Sequence, residues 1–181
     1  VGHGRRDDHR EGVTAMPDGA RDIYQTNLDR VSLALWTRNL PMMLRHLAIP
    51  NRMTTLDAEI VLGSPEELEI AIHDLRDHLE RIGAEWYERR CIEAAFVPFN
   101  PDMIMGRHIT LIRRDGEAIV EPYVSHMTLM RIGGRWKGTS CDAEGHNSEL
   151  RVISDDMAEG QKREHLMRSA MPPRPGPDDG A

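Results

Sequence analysis

Apolar positions recur at helical spacing through the first part of the chain and switch to alternation after Glu85. Tyr24, Leu28, Val31 and Leu35, with Leu33 and Trp36 widening the stripe, predict a buried first helix capped by Asp22. Asn39 and Pro41 predict a second helix start, since a proline in the first turn lacks only an N–H that would go unpaired; Pro50 then stops the segment Met42 to Ala48. Met53 to Leu62 is rich in β-formers and breaks at Asp57-Ala58, as a short strand pair would. Ser64-Pro65-Glu66-Glu67 is a capping box with proline at the first helical position. Leu68, Ala71, Ile72, Leu75, Leu79 and Ile82 continue one apolar face from it until Gly83.

Beyond Glu85 the pattern predicts four strands. Trp86 to Val97 is the first, with Pro98 and Pro101 in the connection. Met103 to Arg113, Ala118 to Ile132 and Arg135 to about Ala143 follow, joined by the turns Asp115-Gly116 and Gly133-Gly134. Three helices and then a meander define an α+β class, with helices closing over a curved antiparallel sheet. Counting outward from Asp115-Gly116 places His108 opposite Tyr123, Thr110 opposite Glu121 and Gly106 opposite Ser125, all on one face. The same count about Gly133-Gly134 places His126 opposite Cys141.

At 181 residues the chain suits one domain, drawn at 21–154. Residues 1–20 mix Gly, Arg, Asp and His without periodicity and read as a disordered arm; residues 155–181 read as weakly helical and then as a Pro-rich disordered tail. Aromatic residues make up 4% of the chain and Met occurs 11 times, so aliphatic and Met side chains must fill the core. The net charge of −7, without a basic tract, argues against nucleic acid. No apolar run reaches the roughly 20 residues of a membrane span, and the N-terminus lacks the apolar stretch of a signal peptide, so a cytoplasmic protein is expected. Cys91 and Cys141 form no C-x-x-C pair, and no H-x-x-x-H spacing occurs among the nine His. Neither a metal nor another cofactor is expected.

The element order, Gly106-Arg107-His108 opening a strand before Asp115-Gly116, and the terminal Gly134-Arg135-Trp136-Lys137 hairpin together resemble the SnoaL-like members of the nuclear transport factor 2-like superfamily. The resemblance spans Ile23 to Ala143. It implies a cone whose curved sheet wraps three helices, a pocket for a small, largely apolar molecule, and a homodimer formed through the outer face of the sheet. In scytalone-dehydratase-like relatives a His matching His108 is oriented by an Asp on the first helix, where this chain has Trp36. In ketosteroid-isomerase-like relatives a Tyr, an Asp base and a deeper acid cooperate. Tyr24 and Asp57 match the first two loosely, no Asp matches the third, and Asp57 reads more simply as a turn residue. The acids of a standard dehydratase or isomerase are therefore not preserved.

The candidate site is His108 as acid or base, with Tyr24, Trp36, Glu121 and Tyr123 as ligand-binding neighbours. His126 beside Cys141 suggests a thiolate pair, but no oxyanion-hole element accompanies it. Two functions follow: a small-molecule-binding cone, with or without proton transfer at His108, and a non-catalytic dimerisation or scaffolding domain whose pocket is filled by its own Met and Trp side chains. An open cavity at His108 separates them.

Overall fold

The computed structural model describes residues 19–170. The expected arm at 1–18 and the tail at 171–181 lie outside the described residues, whereas Gly19 and Ala20, assigned to the arm, already form a helical turn with Ala20 buried. The elements run α1 (Gly19–Trp36), α2 (Leu40–His46), β1 (Leu47–Thr54), β2 (Glu59–Leu62), α3 (Pro65–Arg81), β3 (Trp86–Val97), β4 (Asn100–Arg114), β5 (Glu117–Ala118), β6 (Tyr123–Ile132), β7 (Arg135–Ala143), α4 (Asn147–Leu150) and α5 (Asp155–Ala170). No helix among the described residues is long and apolar enough to cross a membrane.

Local chemistry sets the helix starts. The Asn39 side chain accepts the Met42 N–H at 2.9 Å, capping α2. Ser64 Oγ accepts the Glu67 N–H at 3.2 Å at the head of α3, while the Glu67 carboxylate reaches back to the Gly63 N–H at 2.6 Å, one residue before the capping-box position. Asp22 caps nothing, because α1 begins three residues earlier and places it in the first turn. The segment after α2 also differs from expectation: β1 starts at Leu47, and Pro50 sits within the strand instead of ending a helix.

Seven strands form one curved sheet in the order β2-β1-β7-β6-β4-β3, with β5 paired to β4. All neighbours are antiparallel except β1 and β7, which run parallel. The chain leaves α2 alongside the last strand, and this pairing makes the sheet mixed where the sequence suggested an antiparallel one.

Within the β4–β7 meander, two register shifts depart from the turn counts. Arg114 faces Glu117 as expected and the Ile119 N–H still bonds the Ile112 carbonyl at 3.0 Å, but Val120 to Pro122 leave the ladder, and pairing resumes with Thr110 opposite Tyr123 and His108 opposite Ser125. Pro122 has no N–H to give a ladder, which favours a break there. On β6 and β7 a bulge beside Thr128 moves Cys141 opposite Met127 and His126 opposite Asp142. Both sheet edges are partly covered by glutamine amides. Gln25 of α1 gives Nε2–H to the Arg89 carbonyl at 2.9 Å and accepts the Cys91 N–H at 2.7 Å; Gln161 of α5 accepts the Val61 N–H at 2.9 Å and donates to its carbonyl at 2.7 Å. Each amide stands in for a missing strand neighbour.

The core divides in two. Tyr24, Leu28, Cys91, Ile104, Met127 and Leu129 pack beneath the first half of α1. A larger group from α1, α3, β2 and the 143–153 segment, including Leu35, Ile60, Leu79 and Ile153, packs at the other end of the sheet. The segment after β7 was not legible as structure. Asn147 anchors it, accepting the Ile153 N–H at 2.9 Å and donating to the Ile153 carbonyl at 2.8 Å.

Candidate functional site

Between α1, α3 and the inner face of the sheet lies a cavity of about 110 Å³. One water needs roughly 10–15 Å³ on such a measure, so the space exceeds a single solvent site. Aliphatic side chains of α1 and α3, among them Val31, Leu35, Leu68, Ile72 and Leu75, make the helix side of the wall. The sheet side carries the polar groups: His108 and Thr110 of β4, Tyr87 and Arg89 of β3, Tyr123 and Ser125 of β6, and Cys141 of β7. Met43, Met53 and Met127 also line the space without closing it, and no tryptophan does.

His108 is the centre of the polar wall and is 1% exposed. Its Nδ1 lies 2.9 Å from the hydroxyl of Tyr24, itself fully buried on α1. The Tyr24 hydroxyl proton has His108 Nδ1 as its acceptor. A buried hydroxyl proton without an acceptor would be costly, so we assign the hydroxyl as donor, which leaves the proton of the imidazole on Nε2. Burial, reinforced by the Arg89 and His126 charges, pushes the His108 pKa down to about 3. The ring is therefore neutral at physiological pH and offers an N–H.

Glycine at position 106 makes the Tyr24–His108 contact possible. A Cβ there would stand 2.6 Å from Tyr24 Cε2 and 2.7 Å from the Glu93 carbonyl oxygen, closer than any side chain can be tolerated. The glycine thus clears the path along which the tyrosine ring crosses the strand. The Gly106-Arg107-His108 patch is a packing device as much as a chemical one.

The phenols and the thiol of the site are held in their neutral forms. Burial raises the Tyr24, Tyr87 and Tyr123 hydroxyls above the ordinary phenol range. It also raises the Cys141 thiol, with Arg89 partly opposing the shift. No Asp or Glu is among the residues lining the cavity. The pairing of His126 with Cys141 does not form: His126 is exposed on the outer face and bonds Glu144 at 2.5 Å, while Cys141 lines the cavity.

Of the candidate residues, His108 and Tyr123 line the cavity. Tyr24 stands behind His108 and touches it without lining the space. Glu121 lies in the excursion between β5 and β6 and is exposed, because the ladder breaks there and carries it away from the wall. Trp36 ends α1 outside the cavity, with the Arg76 guanidinium 4.0 Å from its ring centroid and Arg76 Nε bonded to its carbonyl at 3.1 Å. Asp57 holds the turn after β1, accepting the Asn147 N–H at 2.5 Å and the Thr55 hydroxyl at 3.0 Å. Arg89 was not anticipated, and Ser125 and Cys141 entered the turn counts without being named as ligand-binding residues. Placing β3 in register on β4, where Cys91 faces His108, is the step that brings Arg89 to the same wall. Among the described residues no group of three or more His, Cys, Asp or Glu is arranged to hold a metal ion.

No family model matches the sequence, and no curated protein matches it. Solved structures do resemble the fold. A domain of unknown function with a cystatin-like fold from Nostoc punctiforme superposes with a TM-score of 0.55 at 8% identity, covering 84% of this chain and 96% of its own. A nuclear transport factor 2-like protein with a cystatin-like fold from Novosphingobium aromaticivorans gives 0.53 at 9% identity, over 75% of this chain and 89% of its own. Another nuclear transport factor 2-like protein, from Cytophaga hutchinsonii, gives 0.52 at 9% identity, over 70% and 98%. The chain has the nuclear transport factor 2-like fold, an α+β cone of the cystatin-like type. At these identities the likeness concerns fold, and function has to be argued from the cavity.

Proposed function

We propose that this chain is a SnoaL-like small-molecule-binding domain whose ligand enters the cone and meets the Nε2–H of His108. The observation that carries this reading is the cavity of about 110 Å³ with buried His108 in its wall, where a self-filled domain would place packed Met and Trp side chains. A largely apolar pocket with a few convergent polar groups is the usual form of a ligand site. Binding is favoured over proton transfer because the imidazole lone pair is engaged by Tyr24 and no carboxylate lines the space to act as its partner.

The test is a thermal-shift titration with indole and cyclohexanol, using wild type and the cavity-filling variant Ala71→Leu. Ala71 lines the cavity from α3. Wild type should gain thermal stability with ligand concentration and the filled variant should not, since only a ligand bound to the native state shifts the transition. Equal shifts in the two proteins would place binding elsewhere.

The same reading includes homodimerisation through the outer face of the sheet, where Met105 and Met130 are exposed on β4 and β6. Light scattering at micromolar concentration should return a dimer mass, and a monomer mass would remove this part of the proposal.

A further inference from the structure

Resting on the reading of the cone as a ligand site, we infer that the ligand is a small organic anion, a carboxylate on a compact hydrocarbon body, held by the Arg89 guanidinium. Among the cavity-lining residues Arg89 is the one permanent charge, and no acid lines the space to balance it. Seven other arginines, at positions 38, 52, 76, 90, 107, 131 and 151, make ion pairs with carboxylates. Arg89 makes none among the described residues. It is instead tied in place by neutral acceptors on α1: Nε–H bonds Ser32 Oγ at 3.0 Å and Nη2–H bonds the Leu28 carbonyl at 3.0 Å.

This arrangement orients the guanidinium while leaving its charge without a counter-ion. Nη1 has no hydrogen-bond partner among the described residues and is not a buried orphan. A half-buried cation beside low-dielectric walls attracts an anion far more strongly than it would in water. Its field reaches the whole wall, since Arg89 acts on Tyr24, Tyr87, His108, Tyr123 and Cys141 alike. A neutral donor shares its wall, the Nε2–H of His108, and Thr110 is the cross-strand neighbour of Arg89. A carboxylate has two oxygens to satisfy and is matched by a fixed guanidinium plus neutral N–H or O–H donors. The aliphatic helix side, with Val31, Leu35 and Leu75, then receives a hydrocarbon body. A phosphate-sized dianion on a polar ligand is a poor match for that apolar side.

The experiment compares benzoate with benzyl alcohol, and cyclohexanecarboxylate with cyclohexylmethanol, by isothermal titration calorimetry on wild type, Arg89→Met and Arg89→Lys. On wild type the carboxylates should bind at least about tenfold more tightly than their alcohols, the order expected of a charge-assisted contact in a partly desolvated site. Arg89→Met should bring that ratio to about one and Arg89→Lys should retain part of it. A ratio near one on wild type, with the alcohols binding, overturns the anion and leaves the pocket standing. Binding of neither class overturns the pocket reading itself. Should Arg89→Met fail to fold because Leu28 and Ser32 lose their donor, the wild-type ratio and its weakening with added salt decide the matter alone.

Discussion

His108 shows how one buried side chain can couple ligand chemistry to stability. Its folded-state pKa, about 3, lies below the ordinary value of 6.5, so between those limits the unfolded chain binds a proton that the native chain refuses. Native stability therefore rises with pH through this window and is lost as pH falls from 6.5, at up to about 1.4 kcal/mol per pH unit for the single group. Replacing the ring with a neutral amide, His108→Gln, should flatten the dependence of melting temperature on pH between pH 4 and 6.5. An unchanged slope would assign it to other groups, of which His46 and His78 are also lowered by burial and by nearby arginines. Tyr24→Phe should cost about 1–3 kcal/mol in chemical denaturation by stranding His108 Nδ1. Gly106→Ala should cost a comparable 1–3 kcal/mol, about the cost of overpacking, since its Cβ meets the Tyr24 ring and the β3 backbone. A wild-type midpoint in either variant would mean that the two rings do not depend on each other as described. The sequence could mark His108 as notable but not pair it with Tyr24, because the partners are 84 positions apart and only the helix-over-sheet packing joins them.

At the scale of elements, the two register shifts explain which parts of the site were legible. The break at Val120 to Pro122 moves pairing by two residues, and because strand side chains alternate with period two, His108 and Tyr123 remain on the same face although no longer opposite. Glu121 was counted in that same series but lies inside the break, so it was lost to solvent. The bulge beside Thr128 moves pairing by one, which exchanges faces and puts Cys141 inside and His126 outside. Gly138 stands at that bulge, next to the extra residue Thr139, but an isolated strand glycine does not say how the register moves. The helix starts at Asn39 and Ser64 were legible because their caps are local hydrogen bonds. α5 was faint in sequence because its contact with the sheet rests heavily on one polar residue, Gln161, at the edge of β2. Gln161→Ala should lower stability by about 1 kcal/mol and, by opening the Val61 edge, increase concentration-dependent association in sedimentation velocity. A variant that sediments as wild type would show that the edge is protected by something else.

Over the whole molecule, the helices and the mixed sheet divide the labour of the cone. α1 and α3 supply apolar surface, the sheet supplies oriented polar groups, and the space between them is left open where two core clusters meet. The placement of three methionines in that wall gives a direct probe of ligand entry. Met43, Met53 and Met127 line the cavity, whereas Met105 and Met130 lie on the outer face. Methyl-labelled methionine spectra titrated with benzoate therefore separate the interior from the surface in one experiment. A ligand-binding cone predicts saturable shifts at Met43, Met53 and Met127 with Met105 and Met130 still. Shifts confined to the outer methionines, or none at any of them up to millimolar benzoate, would contradict it.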